Sequence, residues 1–241
     1  MDIKSAFFVV ITACVVFTAC FILIRSKGAS IYSIMLKSLA SFCFVTCFIV
    51  SLVYLTDFNS AYVALGLGLV AGLIGDLLLE LKVVYSENSD EYLMSGFVAF
   101  GVGHIFYIFA MIALANSIWK INSLVLPIAV AVGVALVLTF ATYLLTTKVM
   151  KFNFGKNIYA TFIYTFVLYA TTCMAIAFAI CNAKFISLAI GLVLFAVSDL
   201  ILSMQYFGGK EKNNIMQILN HTTYYIAQII ISSTIFIYML V

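Results

Sequence analysis

An all-α, polytopic membrane helix bundle of about eight transmembrane helices is the fold class this sequence predicts, and three observations predict it. Of the 241 residues, 66% are hydrophobic and only 9% charged, with a mean hydropathy of +1.22; a water-soluble domain could not cover itself with so little polar surface. The apolar runs are long and unbroken, whereas barrel strands would alternate in segments of about ten residues. A hydrocarbon core of roughly 30 Å takes about 20 residues per crossing, so the chain holds about eight spans and little else. Residues 1–241 therefore read as a single integral membrane domain.

In chain order the spans are expected at 6–24, 33–55, 61–81, 94–115, 121–146, 157–181, 184–206 and 216–240. The first run is too long for a signal-peptide core, ends in Arg25 and has no A-x-A site after it, so it reads as a retained span. The stretch VVYSENSDEY, with Glu87, Asp90 and Glu91, reads as a solvated loop, and GGKEKNN separates the last two spans. Pro127 fits either a kink or a helix start. Arg25, Lys27, Lys37, Lys82, Lys148, Lys151, Lys156, Lys210 and Lys212 fall on one side and Lys4, Lys120 and Lys184 on the other. They read as topology signals that put both termini outside the cytoplasm. The same scatter argues against nucleic acid as a partner despite the net charge of +3. The six cysteines show no metal or redox spacing and are read as reduced packing residues.

The residues that need a reason are the carboxylates inside spans. LGLGLVAGLIGDLLLEL carries Asp76 with Glu80 one turn later, and FAVSDLIL carries Asp199. An Asp near the centre of a spanning helix costs roughly 2.5–3.5 kcal/mol on insertion scales. Gly68, Gly72, Asp76 and Glu80 share one face at i,i+4 spacing, and the glycines are read as packing that brings the seventh span near. His104 and Tyr107 in the fourth span and His221, Tyr225 and Gln228 in the eighth fall at a similar depth, and Tyr107, Tyr164 and Tyr225 could donate hydrogen bonds into a shared cavity. GDLLL answers SDLIL, each followed in the next span by H-x-x-Y. A parallel four-plus-four repeat is one reading of this; chance matching of common residues is the other.

A buried carboxyl that merely helps helices associate is the plainer reading of Asp76 and Asp199, yet Asn or Ser would do that at lower cost. His104 and His221 read plainly as satisfied interior histidines, and Glu80 as a side chain reaching water. No G-x-S-x-G, H-E-x-x-H, Walker or C-x-x-C motif is present, and no helix offers a His pair at i,i+4, so no metal or other cofactor is assigned. On the residues alone, a proton-coupled transporter and a lipid enzyme rank equally.

GLIGDLLL at 72–79, GFVAFGVGHIFYIF at 96–109, LFAVSDLIL at 194–202 and YYIAQIIISS at 224–233 resemble the lysoplasmalogenase (YhhN) family of multispan membrane proteins. The pattern is a glycine-rich helix ending in G-D, an F-x-x-G-x-x-x-F region with His and Tyr, an S-D helix and a closing Y-x-x-A-Q helix. Gly103 stands where Ser is the commoner residue. The resemblance implies hydrolysis of the vinyl ether bond of a lysoplasmalogen to a fatty aldehyde and a glycerophospho-ethanolamine or -choline. The substrate partner would be a lysophospholipid within the bilayer, in a bacterial cytoplasmic membrane or, in a eukaryote, the endoplasmic reticulum. That reaction needs an acid to protonate carbon and an anion to stabilise an oxocarbenium ion, as in glycosidases. Asp76 and Asp199 are the catalytic candidates, one a neutral acid in a low-dielectric site and the other its anionic partner. Glu80, His104, Tyr107, Ser198, His221, Tyr225 and Gln228 are the supporting or substrate-binding candidates, with Lys82, Lys151 or Lys210 toward the phosphate.

Overall fold

A computed structural model describes residues 3–53, 59–119, 124–210 and 213–240; Lys120, Lys212, the predicted end of the second span at 54–55 and the first residues of the fifth lie outside the described residues. The architecture is all-α. Nine α-helices occur among the described residues: α1 Ile3–Arg25, α2 Ile31–Leu52, α3 Ser60–Val84, α4 Ser89–Ile118, α5 Val125–Leu144, α6 Ile158–Cys181, α7 Ile186–Tyr206, α8 Asn214–Ser232 and α9 Thr234–Leu240. Seven of them, α1 to α7, are long and apolar enough to cross a membrane. The protein is a multi-pass membrane protein, and large apolar side chains such as Phe8, Leu23, Val137 and Ile180 are exposed around the bundle, as a lipid-facing surface requires.

Several boundaries follow from local chemistry. Ser30 caps α2 through a reciprocal box with Ser33, and Asn59 and Asn213 cap α3 and α8 by accepting backbone N–H bonds. The expected acidic loop is largely helical: α3 runs on to Val84 and α4 starts at Ser89, with Asp90 and Glu91 in its first turn, where negative charge suits the helix dipole. Pro127 occupies the first turn of α5, where its missing N–H costs nothing, so the helix-start reading holds. A π-type turn over Leu145–Val149 prolongs α5.

The expected eighth span, 216–240, is divided into α8 and α9 at Ser233, and α8 is not among the seven apolar candidates. Its sequence carries Gln217, Asn220, His221, Tyr224, Tyr225 and Gln228, and most of these are buried against other helices. The packing explains the polarity. α8 lies against α7 and also touches α1, α2 and α3, so it brings its polar face to the interior.

Consecutive helices pack as pairs, α3 on α4 most extensively, then α7 on α8, α1 on α2 and α5 on α6. Small residues set the α3 approach. A Cβ on Gly68 would run into the Tyr107 ring, one on Gly75 would lie 2.6 Å from the Phe100 ring, and one on Gly72 would lie 2.9 Å from Gln228 Nε2. The glycine face of α3 thus receives α4 and α8 rather than α7, because the aromatic side chains of α4 fill the space above it.

Candidate active site

Asp76 projects from α3 into a nest of donors. Its Oδ2 accepts hydrogen bonds from Ser41 Oγ of α2 at 2.6 Å and from Tyr224 Oη of α8 at 2.7 Å. Its Oδ1 lies 3.6 Å from Lys37 Nζ. Behind these, Gln228 Nε2 donates to Tyr224 Oη at 2.8 Å, and Tyr225 Oη lies 3.0 Å from Ser41 Oγ and 3.2 Å from the Lys37 carbonyl oxygen. The Asp76 carboxyl is 2% exposed.

Glu80, one turn further along α3, is equally enclosed and does not reach water. Ser33 Oγ donates to its Oε1 at 2.7 Å, Arg25 Nε stands 3.1 Å from the same oxygen, and Lys37 Nζ is 3.6 Å from Oε2. With its amide oxygen turned to Arg25, Gln217 accepts from both guanidinium nitrogens at 3.0 and 3.1 Å. Arg25, Lys37, Asp76 and Glu80 therefore form a quartet whose formal charges sum to zero. Lys37 is not a loop residue marking topology. It sits in the second turn of α2, 3% exposed, with its ammonium bridging two carboxylates. A buried charge needs such partners, since removing one from a buried pair costs about 3–5 kcal/mol.

Asp199, on α7, is held differently. Its Oδ2 accepts a short hydrogen bond from Tyr164 Oη of α6, and among the described residues it has no ion pair. Tyr164 is itself fixed by stacking on Phe97 of α4, rings 5.4 Å apart and nearly parallel. Ser198 bonds its own helix at the Phe195 carbonyl, and its carbonyl accepts from Asn220 Nδ2 at 2.7 Å, which ties α7 to α8.

The two aspartates line one cavity, together with Arg25, Lys37, Glu80, Gln205, Gln217, Asn220, His221 and Tyr224. Asp199 also lines a second, more apolar chamber of aromatic, leucine and threonine side chains between α4 and α7; Phe100, Leu202 and Tyr206 border both. The arrangement is a polar compartment and a largely apolar one meeting at a carboxyl group.

The remaining sequence candidates divide. His221 lines the polar cavity, its ring edge-on to Phe21 at 4.8 Å. Tyr225 and Gln228 support Asp76 at one remove. His104 and Tyr107 bond neither aspartate: both His104 ring nitrogens and the Tyr107 hydroxyl are buried with no hydrogen-bond partner among the described residues. His104 lies instead against Phe195, at 4.8 Å, and beside Tyr107 and Tyr164. Of the lysines, Lys82 sits 3.8 Å over the Tyr206 ring, while Lys210 is exposed. Among the described residues no group of three or more His, Cys, Asp or Glu side chains is placed to hold a metal ion, and the six cysteines are free.

The model of the YhhN family matches residues 32–235 of this chain. Searches of curated proteins and of solved structures found no match.

Proposed function

The chain belongs to the YhhN family, which is known for lysoplasmalogenase activity, and from that premise we propose that it hydrolyses the vinyl ether bond of a lysoplasmalogen with Asp199 as the acid and Asp76 as the anionic partner. One observation carries the reading: both carboxyl groups line the same cavity, and Asp199 also lines a neighbouring, largely apolar chamber. A lysolipid has the same division, a glycerophospho head suited to the polar compartment and an alkenyl chain suited to the aromatic one. Its vinyl ether, at the junction of the two parts, would then lie at Asp199.

The assignment of roles follows from the neighbours. Asp76 faces an ammonium and two hydroxyl donors, a setting that favours an anion. Asp199 has the hydroxyls of Tyr164 and Ser198 beside it and no ion pair among the described residues, and its other carboxyl oxygen can carry a proton. Asp199 donates that proton to the alkenyl carbon remote from the ether oxygen, leaving an oxocarbenium ion that the Asp76 carboxylate stabilises. Water adds to the cation and gives a proton to Asp76. The resulting hemiacetal then collapses to aldehyde and glycerol alcohol, its hydroxyl proton ending on the departing oxygen.

The test is aldehyde release from a lysoplasmalogen by purified wild type, Asp76→Asn and Asp199→Asn. Full activity in both folded variants would overturn the carboxyl roles. An inactive wild type across vinyl ether lysolipids would overturn the substrate class.

A further inference from the structure

The polar groups behind the two aspartates are unusual in being buried and unsatisfied. His104 Nδ1 and Nε2, Tyr107 Oη and Gln228 Oε1 are each without a hydrogen-bond partner among the described residues, although His104, Tyr107 and Gln228 are at most 2% exposed. Buried polar atoms in folded proteins are satisfied by protein or by ordered water. The side chains that carry them pack on neighbouring turns. Tyr107 covers Gly68 and Gln228 covers Gly72, one turn apart on the same face of α3, and the His104 and Tyr107 rings are 5.9 Å apart.

Each end of the group abuts one aspartate. Gln228 donates to Tyr224, which donates to Asp76. His104 adjoins Tyr164, ring centroids 6.1 Å apart, and Tyr164 donates to Asp199. We infer that His104, Tyr107 and Gln228 hold buried water that joins the Tyr224–Asp76 and Tyr164–Asp199 pairs into a path for returning a proton from Asp76 to Asp199. This rests on the hydrolase reading above.

Proton balance gives the path its purpose. In each turnover one proton passes from Asp199 to carbon and one passes from water to Asp76, while lysoplasmalogen and water become aldehyde and alcohol. The enzyme is left with Asp199 ionised and Asp76 protonated, and one proton must cross before the next cycle. While product fills the shared cavity the direct route is blocked, and a route behind the aspartates is not. His104, which can donate at one ring nitrogen and accept at the other, is suited to pass a proton between waters.

The experiment has two independent readouts on the full-length protein. A high-resolution crystal structure of wild type is expected to show ordered water within hydrogen-bond distance of His104 and Tyr107; protein or empty apolar space there overturns the inference whatever the activity. In rapid-mixing assays, His104→Phe and Tyr107→Phe are expected to keep the first turnover within about twofold of wild type but to lose at least tenfold in steady state, giving a burst, in line with the roughly 10²–10⁴-fold contribution of proton transfer. His104→Gln, which retains a donor and an acceptor, is expected to recover most of the steady-state rate. First-turnover and steady-state rates falling together would show a structural role and overturn the relay. If wild type releases no aldehyde, the hydrolase reading and the relay fall together, while the water density still decides whether the site is hydrated.

Discussion

Asp76 and Asp199 line the same cavity and come from similar sequence contexts, G-D-L-L-L and S-D-L-I-L, yet their surroundings are opposite in kind. Asp76 belongs to a charge-balanced quartet drawn from α1, α2 and α3 and is held further by Ser41 and by Tyr224 of α8. Asp199 has only neutral hydroxyls beside it, Tyr164 of α6 and the adjacent Ser198, makes no ion pair among the described residues, and lines two compartments. Similar short motifs therefore do not mean equivalent roles. A carboxyl beside a cation and donors is prepared to be an anion, and one with only neutral hydroxyl neighbours and access to a cavity is free to trade a proton.

Substitutions can break or sharpen this contrast. The largest effect is expected on removing an aspartate. Asp199→Asn should lower aldehyde release by about 10²–10⁴-fold, the range for loss of a general acid, with stability close to wild type because no buried cation loses its partner. Asp76→Asn should lower both activity and thermal stability in detergent, since it leaves part of the quartet unpaired. Equal stability losses in the two variants would contradict the contrast.

Next comes Lys37→Met, expected to cost about 3–5 kcal/mol because Asp76 loses its cation, while Glu80 keeps Arg25. Unfolding in graded denaturing detergent would measure this, and combining it with Asp76→Asn should restore part of the loss. Smaller is the cost of Gly68→Ala, about 1–3 kcal/mol from the added methyl against Tyr107; the same assay should show it. Smallest is Tyr164→Phe, with a stability change of about 0.5–1.5 kcal/mol. Its informative readout is the pH profile of aldehyde release, which should move if Tyr164 tunes Asp199 and stay fixed if the tyrosine only packs on Phe97.

The helical fold and the buried polar residues Asp76, Asp199, Glu80 and Gln228 were legible because a carboxylate or amide inside an apolar helix carries an energetic cost that needs an explanation. Tyr164 was legible as a donor, though not as the partner of Asp199. Ser41 was not singled out, and Tyr224 was noted only as a motif residue, since Ser and Tyr are common in apolar helices and their pairing with Asp76 spans 35 and 148 residues. Arg25 and Lys37 were misread for a physical reason: basic residues near span ends usually mark topology. The signal that could have separated Lys37 was present, since the expected second span, 33–55, already holds Lys37 within it, and α2 starts earlier still, at Ile31. The glycine face pointed to close packing, but which helix fills it depends on where Tyr107 and Phe100 of α4 are aimed.

The neutral quartet has a consequence for biogenesis. Arg25 and Lys37 leave the ribosome on α1 and α2, and the carboxylates that neutralise them follow only on α3. Until then two cations belong to helices destined for hydrocarbon, a placement that costs roughly 2.5–3.5 kcal/mol each near a helix centre and less toward its ends. The first three helices are therefore expected to enter the bilayer more readily together than one by one. A chain truncated after α2 is expected to insert less completely than one truncated after α3, and equal insertion in a glycosylation-reporter assay would show that the pairing forms only after integration.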